Sequence, residues 1–496
     1  MWIGNPGDVG LSAVGKILNG EVNPSGRTVN TWTRDFTKDP SFQNFGDNRQ
    51  FGAEIDYAKQ KHASLNTMFN ADGTPMRDFG VDRKYTNTSA PTYINEKEKV
   101  VTTSIESARP AGYISYEEGI YTDYRYYETK YADLASTDEK KANEWYESEE
   151  GVVYPFGYGL SYTTFDQEIS SSSLKNAEIS SIDDLVRFGV TVKVKNTGNV
   201  DGKDAVQLYL RTPYTLGQIE KADHVLCDFA KTRQIKAGKS TKVTLSLDLK
   251  EFASYDFNDA NKNGFKGYEL EAGDYEILLM KNAHELYDSF SFKITNDIVL
   301  ERDPVTGNIV ENRFTDNEFF NTLPSEDDVE FTQMSRSDFV STFPAHPSIA
   351  DRTVSERSKY EDFLTSRYDY YRFEAENDFT FTPEKALLKD NKDVLRQDST
   401  HTITLEDMSS YDLDDEMWEQ FLNEFSWNEL QTLLANYTFS SPSISSIGKN
   451  ALIEGDGMQK FYYVWWVSSP IIAATFNKEL AQEQGECIGI ESALRK

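Results

Sequence analysis

Between residues 186 and 294 apolar and polar side chains alternate with a period of two. Val186, Phe188, Val190, Val192 and Val194 make one such run, and Val206, Leu208 and Leu210 a second. Val243, Leu245, Leu247 and Leu249 follow, then Tyr275, Ile277 and Leu279, then Phe290, Phe292 and Ile294. Successive side chains of a strand point to opposite faces, so each run marks a strand with one buried face. Turn residues such as Asn196-Thr197-Gly198-Asn199 separate the runs. Several short strands so punctuated predict a β-sandwich over 166–296. No group of residues within it has a catalytic pattern.

Outside this region the period changes. Leu11, Val14 and Leu18 share a helical face that Asn19-Gly20 ends, and Trp2-Ile3-Gly4 reads as the end of a strand. Trp418, Phe421, Leu422 and Phe425 lie on one helical face. Ser426-Trp427-Asn428-Glu429 is a capping box for a further helix through Leu430, Leu433 and Leu434. Ile453 to Gly457 reads as a short strand closed by a glycine turn, and Ser469 to Asn477 as a second strand and turn. Lys478 to Leu494 reads as a helix with Leu480, Cys487 and Ile488 inward. Residues 35–100 are polar and irregular, and 297–415 are charged and low in periodicity, as expected of a draped connector.

A length of 496 residues predicts about three domains. With 51 basic and 82 acidic residues the net charge is −31, which argues against nucleic acid or an anionic membrane as partner. An uncharged sugar is indifferent to that field. Cys227 and Cys487 are too far apart in sequence to form a disulfide framework and fit a reducing interior. The opening Met1-Trp2-Ile3-Gly4-Asn5-Pro6 has neither a basic nor an apolar leader region, so a cytoplasmic location is expected. The run Phe461 to Phe476, broken by Ser468, Ser469 and Pro470, is too short to span a bilayer.

Three stretches invite chemistry. Gly4, Gly7 and Gly10 lack the following Lys-Ser/Thr and the acidic ribose partner of a nucleotide cradle. Glu117 and Glu118 are adjacent, so they point apart on a strand and do not face each other on a helix; a structural loop is expected. Asp259-x-Asn261-x-Asn263-Gly264 fits the opening of a calcium loop, but position 12, where a bidentate Glu belongs, is Leu270, between Glu269 and Glu271. A polar hairpin is the expectation there, with no metal and no cofactor.

Val152 to Phe165, reading Val-Val-Tyr-Pro-Phe-Gly-Tyr-Gly-Leu-Ser-Tyr-Thr-Thr-Phe, resembles the signature that closes the second domain of family-3 glycoside hydrolases, just before their fibronectin III-like domain. Tyr116, Glu118, Gly119, Tyr124 and Arg125 match a pattern that precedes the signature in that family, and Trp2 to Thr31 resembles the last strand–helix unit of its α/β sandwich domain. Met334 to Phe339 and Thr342-Phe343-Pro344 resemble connectors of permuted members, in which the barrel comes last. Residues 453–477 resemble the opening of the (β/α)8 barrel.

The resemblance implies a mixed multidomain chain: the end of an α/β sandwich domain over 1–164, a fibronectin III-like β-sandwich over 165–297, a connector over 298–416 and an incomplete (β/α)8 barrel over 417–496. It implies retaining hydrolysis of β-linked glucosides or oligosaccharides, without cofactor. Asp456 is the position that transfers, as a ligand for sugar hydroxyls. The nucleophilic aspartate and acid/base glutamate have no matching positions, so catalytic residues are expected to be absent and the chain inactive alone. Two readings remain: part of a split or broken β-glucosidase whose partner is its own remainder, or a non-catalytic carbohydrate- or protein-binding module.

Overall fold

The computed structural model describes residues 2–44, 92–94, 100–102, 116–185, 187–302, 308–310, 333–344, 401–426, 429–430, 432–433, 440–453, 460–461 and 464–494. The chain divides into two compact units.

The first unit is built on the β-sandwich. One sheet has Arg187–Asn196 at its centre, between Phe165–Ser172 and Ser240–Asp248. The register is antiparallel, with Val192 opposite Val243, Val190 opposite Leu245 and Phe188 opposite Leu247, so the alternating apolar residues share one face. The second sheet runs in the order Glu178–Ile179, Leu286–Ile294, Gly273–Met280, Ala205–Arg211 and Val225–Lys231. Tyr275 pairs with Phe292 and Ile277 with Phe290. Val190, Val192, Val194, Leu208 and Ile277 meet between the sheets, fully buried. Burying each such side chain is worth about 1.5–3 kcal/mol. Val186 lies outside the described residues; the other alternating residues fall on strands as predicted, except Leu249, which opens a short 3-10 turn, Leu249–Phe252.

The second sheet is covered on its outer side too. Tyr209, Leu278, Met280 and Ala283 pack there against Tyr124 and Phe156. Tyr124 belongs to a helix, Tyr124–Ala135, which packs against a second helix, Glu139–Tyr146. Asp138 caps the second helix by accepting from the Lys141 N–H. The loop expected around Glu117 and Glu118 is therefore only the approach to a helix. Its apolar stripe is made of tyrosines (Tyr124, Tyr126 and Tyr127 are all buried), and aromatic residues are weak helix formers, so the local signal was poor.

The 152–165 stretch is the turn that ties the N-terminal segment to the sandwich. Gly157 donates its N–H to the Thr28 carbonyl at 2.9 Å, and the Thr28 N–H donates to the Tyr158 carbonyl at 2.7 Å. Gly157 has φ +79°, and a Cβ there would stand 2.2 Å from Gln207 Oε1, so glycine is required twice over. Arg27 donates to the Gly159 carbonyl at 3.0 Å and is paired with Asp204 of the sandwich. Gln167 Nε2 donates to Asp204 Oδ2 at 2.8 Å, and the Asp204 side chain is 1% exposed.

Helix Leu11–Leu18 forms as its spacing predicts and ends at Asn19, but Leu11 and Leu18 stay largely exposed. Trp2-Ile3-Gly4 is not a strand. Of the expected connector, Ile298–Leu300 instead joins the sandwich by pairing with Gly267–Leu270.

The second unit holds short elements. Met408, Phe421, Phe425, Ile444 and Ile447 form its core, with Trp418 against it. Leu422, expected inward, is 56% exposed, because the short helix Met417–Asn423 turns Met417, Trp418 and Phe421 to the core instead. The capping box is present: Glu429 accepts from the Ser426 N–H at 2.9 Å, and Ser426 Oγ accepts from the Glu429 N–H at 3.2 Å. The strand pairs in this unit, Ser440–Ser441 with Leu452–Ile453 and Lys460–Phe461 with Val464–Trp465, are antiparallel. Barrel strands pair in parallel, and no parallel pair occurs here among the described residues.

Two expectations near the C-terminal end are corrected. Ser469–Ala473 is a helix, not a strand. Proline at its second position fits a first helical turn, where a missing N–H costs nothing, and this outweighs the β-propensity of Ile471 and Ile472. Helix Lys478–Ala493 buries Gln484, whereas Cys487 is exposed.

The Arg27–Asp204 pair yields a prediction. Asp204→Ala leaves a guanidinium buried without its counter-charge and should cost about 3–5 kcal/mol. Glu168→Ala, which breaks the exposed pair with Lys193, should leave the unfolding midpoint in place. Urea unfolding followed by far-ultraviolet circular dichroism reads both, and equal midpoints for the two variants would overturn the assignment.

Candidate functional site

Asp456 lies outside the described residues. Asp259, Asn261 and Asn263 sit together in the hairpin loop between Ser254–Asp256 and Gly267–Leu270. Glu117 and Glu118 lie in a turn: the Glu117 backbone carbonyl accepts from the Met334 N–H at 2.7 Å, and the Glu118 side chain is buried. Burial raises the pKa of Glu118, and the charge of Asp39 adds to the effect. Burial likewise raises Asp39, whose Oδ2 accepts from the Tyr127 hydroxyl at 3.0 Å.

A cluster of charged residues joins helix Tyr124–Ala135 to the sandwich. Asp223 Oδ2 lies 2.8 Å from both His224 Nδ1 and Arg211 Nη2. Arg211 Nη1 also donates to Glu276 at 2.8 Å. Arg336 clamps Asp133 with Nε 3.0 Å from both carboxylate oxygens, donates Nη1 to the Lys221 carbonyl at 3.1 Å and lies 4.3 Å from the centre of the Tyr214 ring. Burial alone would push Asp223 up, but His224 and Arg211 more than reverse it and hold the carboxyl at about 2. The sequence reading missed Asp223, His224 and Arg336. Their only local mark was an Asp-His step before a strand and an arginine within the 334–339 segment.

Glu128 forms a second buried centre. Its Oε1 accepts from the Tyr146 hydroxyl and its Oε2 meets His284 Nδ1, each at 2.8 Å. The His284 and Tyr146 rings stack at 4.1 Å. Near the Gly157 turn, burial pushes the Lys231 ammonium down to about 7, and the Arg27 charge adds to that.

An open cleft of about 660 Å³ runs beside this cluster, lined by Tyr121, Arg125, Gln218, Glu220, Tyr255 and Tyr268 among others. Aromatic faces with amide, guanidinium and carboxylate groups suit a polyhydroxylated ligand. Of the carboxylates lining the cleft, Glu220 is already committed: it accepts from the Tyr121 hydroxyl, from Ser335 Oγ at 2.5 Å and from the Arg336 N–H at 3.0 Å. Glu220 thus braces one wall of the cleft. Among the described residues no group of three or more His, Cys, Asp and Glu is placed to hold a metal, and no helix is long and apolar enough to cross a membrane.

Comparison with known proteins fits this architecture. Residues 204–283 match the family model described as a fibronectin type III-like domain. Beta-glucosidase A of Butyrivibrio fibrisolvens is 34% identical over 200 residues, covering 38% of this chain and 21% of that protein. A beta-glucosidase of Ruminococcus albus is 34% identical over 187 residues, covering 38% of this chain and 17% of its own length. The solved structure of a beta-glucosidase from Paenibacillus barengoltzii is 27% identical, covers 57% of this chain and 23% of that one, and superposes with a TM-score of 0.35. The chain thus carries a fibronectin type III-like domain and is similar in sequence to β-glucosidases over about two fifths of its length, as the motifs at 116–125 and 152–165 implied. It spans about a fifth of the length of the curated relatives it matches.

The Asp223 cluster makes stability depend on pH in the acid range. A carboxyl depressed to about 2 in the folded state, against about 3.9 unfolded, contributes its full stability above pH 4 and loses it as pH falls toward 2. The loss is on the order of 2 kcal/mol. Asp223→Asn should be less stable at pH 7 and show a flatter decline between pH 4 and 2. Thermal melts across that interval test this, and parallel curves for the two proteins would remove Asp223 from the account.

Proposed function

We propose that this chain is part of a retaining β-glucosidase of the family-3 type, with its domains in permuted order, and that it does not turn over glycosides by itself. In this reading residues 1–164 end the α/β sandwich domain, 165–297 are the fibronectin III-like domain, 298–416 connect, and 417–496 open the (β/α)8 barrel. What supports it is the 34% identity to Beta-glucosidase A over 200 residues together with the fibronectin type III-like match.

Retention requires two carboxyl groups about 5–5.5 Å apart, a nucleophile and an acid/base. The buried carboxylates Glu128, Asp204 and Asp223 are each held by a cation, histidine or tyrosine, which suits bracing rather than proton transfer. The substrates are β-linked glucosides, and the reaction needs the remainder of the enzyme as partner. Asp456 contributes hydrogen bonds to sugar hydroxyls.

Without nucleophile and acid/base, hydrolysis of p-nitrophenyl β-glucoside by the purified chain should run at least about 10⁵-fold slower than by a complete relative. Asp456→Ala should change nothing measurable in the isolated chain. Turnover of roughly one per second, abolished in Asp456→Ala, would mean that the chain carries a working active site and would overturn the proposal.

A further inference from the structure

Within the charged stretch 297–415, residues 333–344 close on themselves. Ser335 Oγ accepts from the Ser337 N–H at 3.2 Å and caps the turn Arg336–Asp338. Asp338 Oδ1 accepts from the Ser341 N–H at 3.0 Å. Thr342 Oγ1 completes the loop, accepting from the Ser335 N–H at 2.9 Å and donating to the Asp338 carbonyl at 2.6 Å. A short segment that answers its own polar groups is pre-organised, and it loses less entropy on docking than an open chain.

Its other groups meet a receptor of three parts: the turn before helix Tyr124–Ala135, the helix itself and the loop of residues 212–224. Met334 is buried and donates its N–H to the Glu117 carbonyl. The Phe339 ring stands edge-on to Tyr121 at 4.9 Å and to Tyr126 at 5.6 Å, and Phe343 lies 5.7 Å from Tyr126. Between Met334 and Phe339, Arg336 forks onto Asp133, and its Nη2 lies 4.0 Å from Asp223 Oδ1. Glu220 takes the Ser335 hydroxyl and the Arg336 N–H. Two buried apolar anchors around a bidentate arginine, with polar contacts about them, form the hot-spot pattern of a ligand in its site. Lysine cannot make that fork, so the receptor is selective for arginine.

We propose that residues 333–344 are a detachable docking peptide with a Met-x-Arg-x-x-Phe core, and that the receptor accepts the same segment from a second copy of the chain. Within one copy, tethering gives the segment an effective concentration of about 1 mM. In dilute protein it therefore returns to its own receptor. Exchange between copies competes as the protein concentration nears that value, or when one copy's own segment is weakened.

The experiment is fluorescence anisotropy of a labelled synthetic peptide of residues 333–344. The host is the full chain carrying Arg336→Ala and Phe339→Ala, which frees the receptor. The peptide should bind the host one to one with a Kd of about 10⁻⁵ M. The wild-type chain, whose receptor is filled, should bind it at least about tenfold more weakly. Arg336→Lys in the peptide, or Asp133→Asn added to the host, should each weaken binding at least about tenfold. The Asp133 side chain is 37% exposed on its helix, so its replacement leaves the fold in place. Exchange is read by sedimentation velocity: the host, mixed with a chain carrying Asp133→Arg at several times that Kd, should form a complex of two chains that neither forms alone. No saturable binding to a folded host, equal binding by the wild-type chain, peptide variants that bind unchanged, or no complex in the mixture would overturn the proposal. So would a host shown unfolded by circular dichroism, because the segment would then be an integral part of the fold.

Discussion

The first unit depends on one buried ion pair. Arg27 comes from the N-terminal segment and Asp204 from the sandwich, and the guanidinium also holds the Gly159 carbonyl of the turn between them. Three stretches far apart in sequence are thereby fixed around a single charge. Asp204 in turn receives Gln167 Nε2, and its own N–H donates to Thr232 Oγ1. An apolar contact would tolerate sliding; a desolvated fork between a carboxylate and a carbonyl does not.

The sandwich was legible because alternation is a direct image of a strand with one buried face, as Val190, Val192 and Val194 show. What alternation could not reveal was the second, outer burial of Ala205–Arg211, where Gln207 and Tyr209 are as deeply buried as Leu208. That burial depends on a helix 80 residues upstream in sequence, whose tyrosine-rich face has no strong helical signature. Ser469–Ala473 failed for the opposite reason: a local β signal was overruled by the position of a proline. Asp456 was legible only through a family motif, and physical reading alone gave it no partner.

The ionisable groups of the first unit illustrate how perturbed acidity and catalysis can separate. Asp223 and Lys231 sit far from their ordinary values, yet each is explained by burial and named neighbours that fasten segments together. Perturbation of this kind marks where a chain concentrates buried polarity, and it marks an active site only when some of that polarity is left facing a ligand.

Val225–Lys231 is the last strand of its sheet, and two of the backbone N–H groups at that margin are answered by helix Tyr124–Ala135: Leu226 donates to the Tyr124 hydroxyl and Asp223 to Thr129 Oγ1. The helix therefore covers part of that margin. An open sheet margin is a template on which another copy can add a strand. Cutting or rearranging the gene so that this helix is lost would leave a sandwich still able to fold but apt to polymerise.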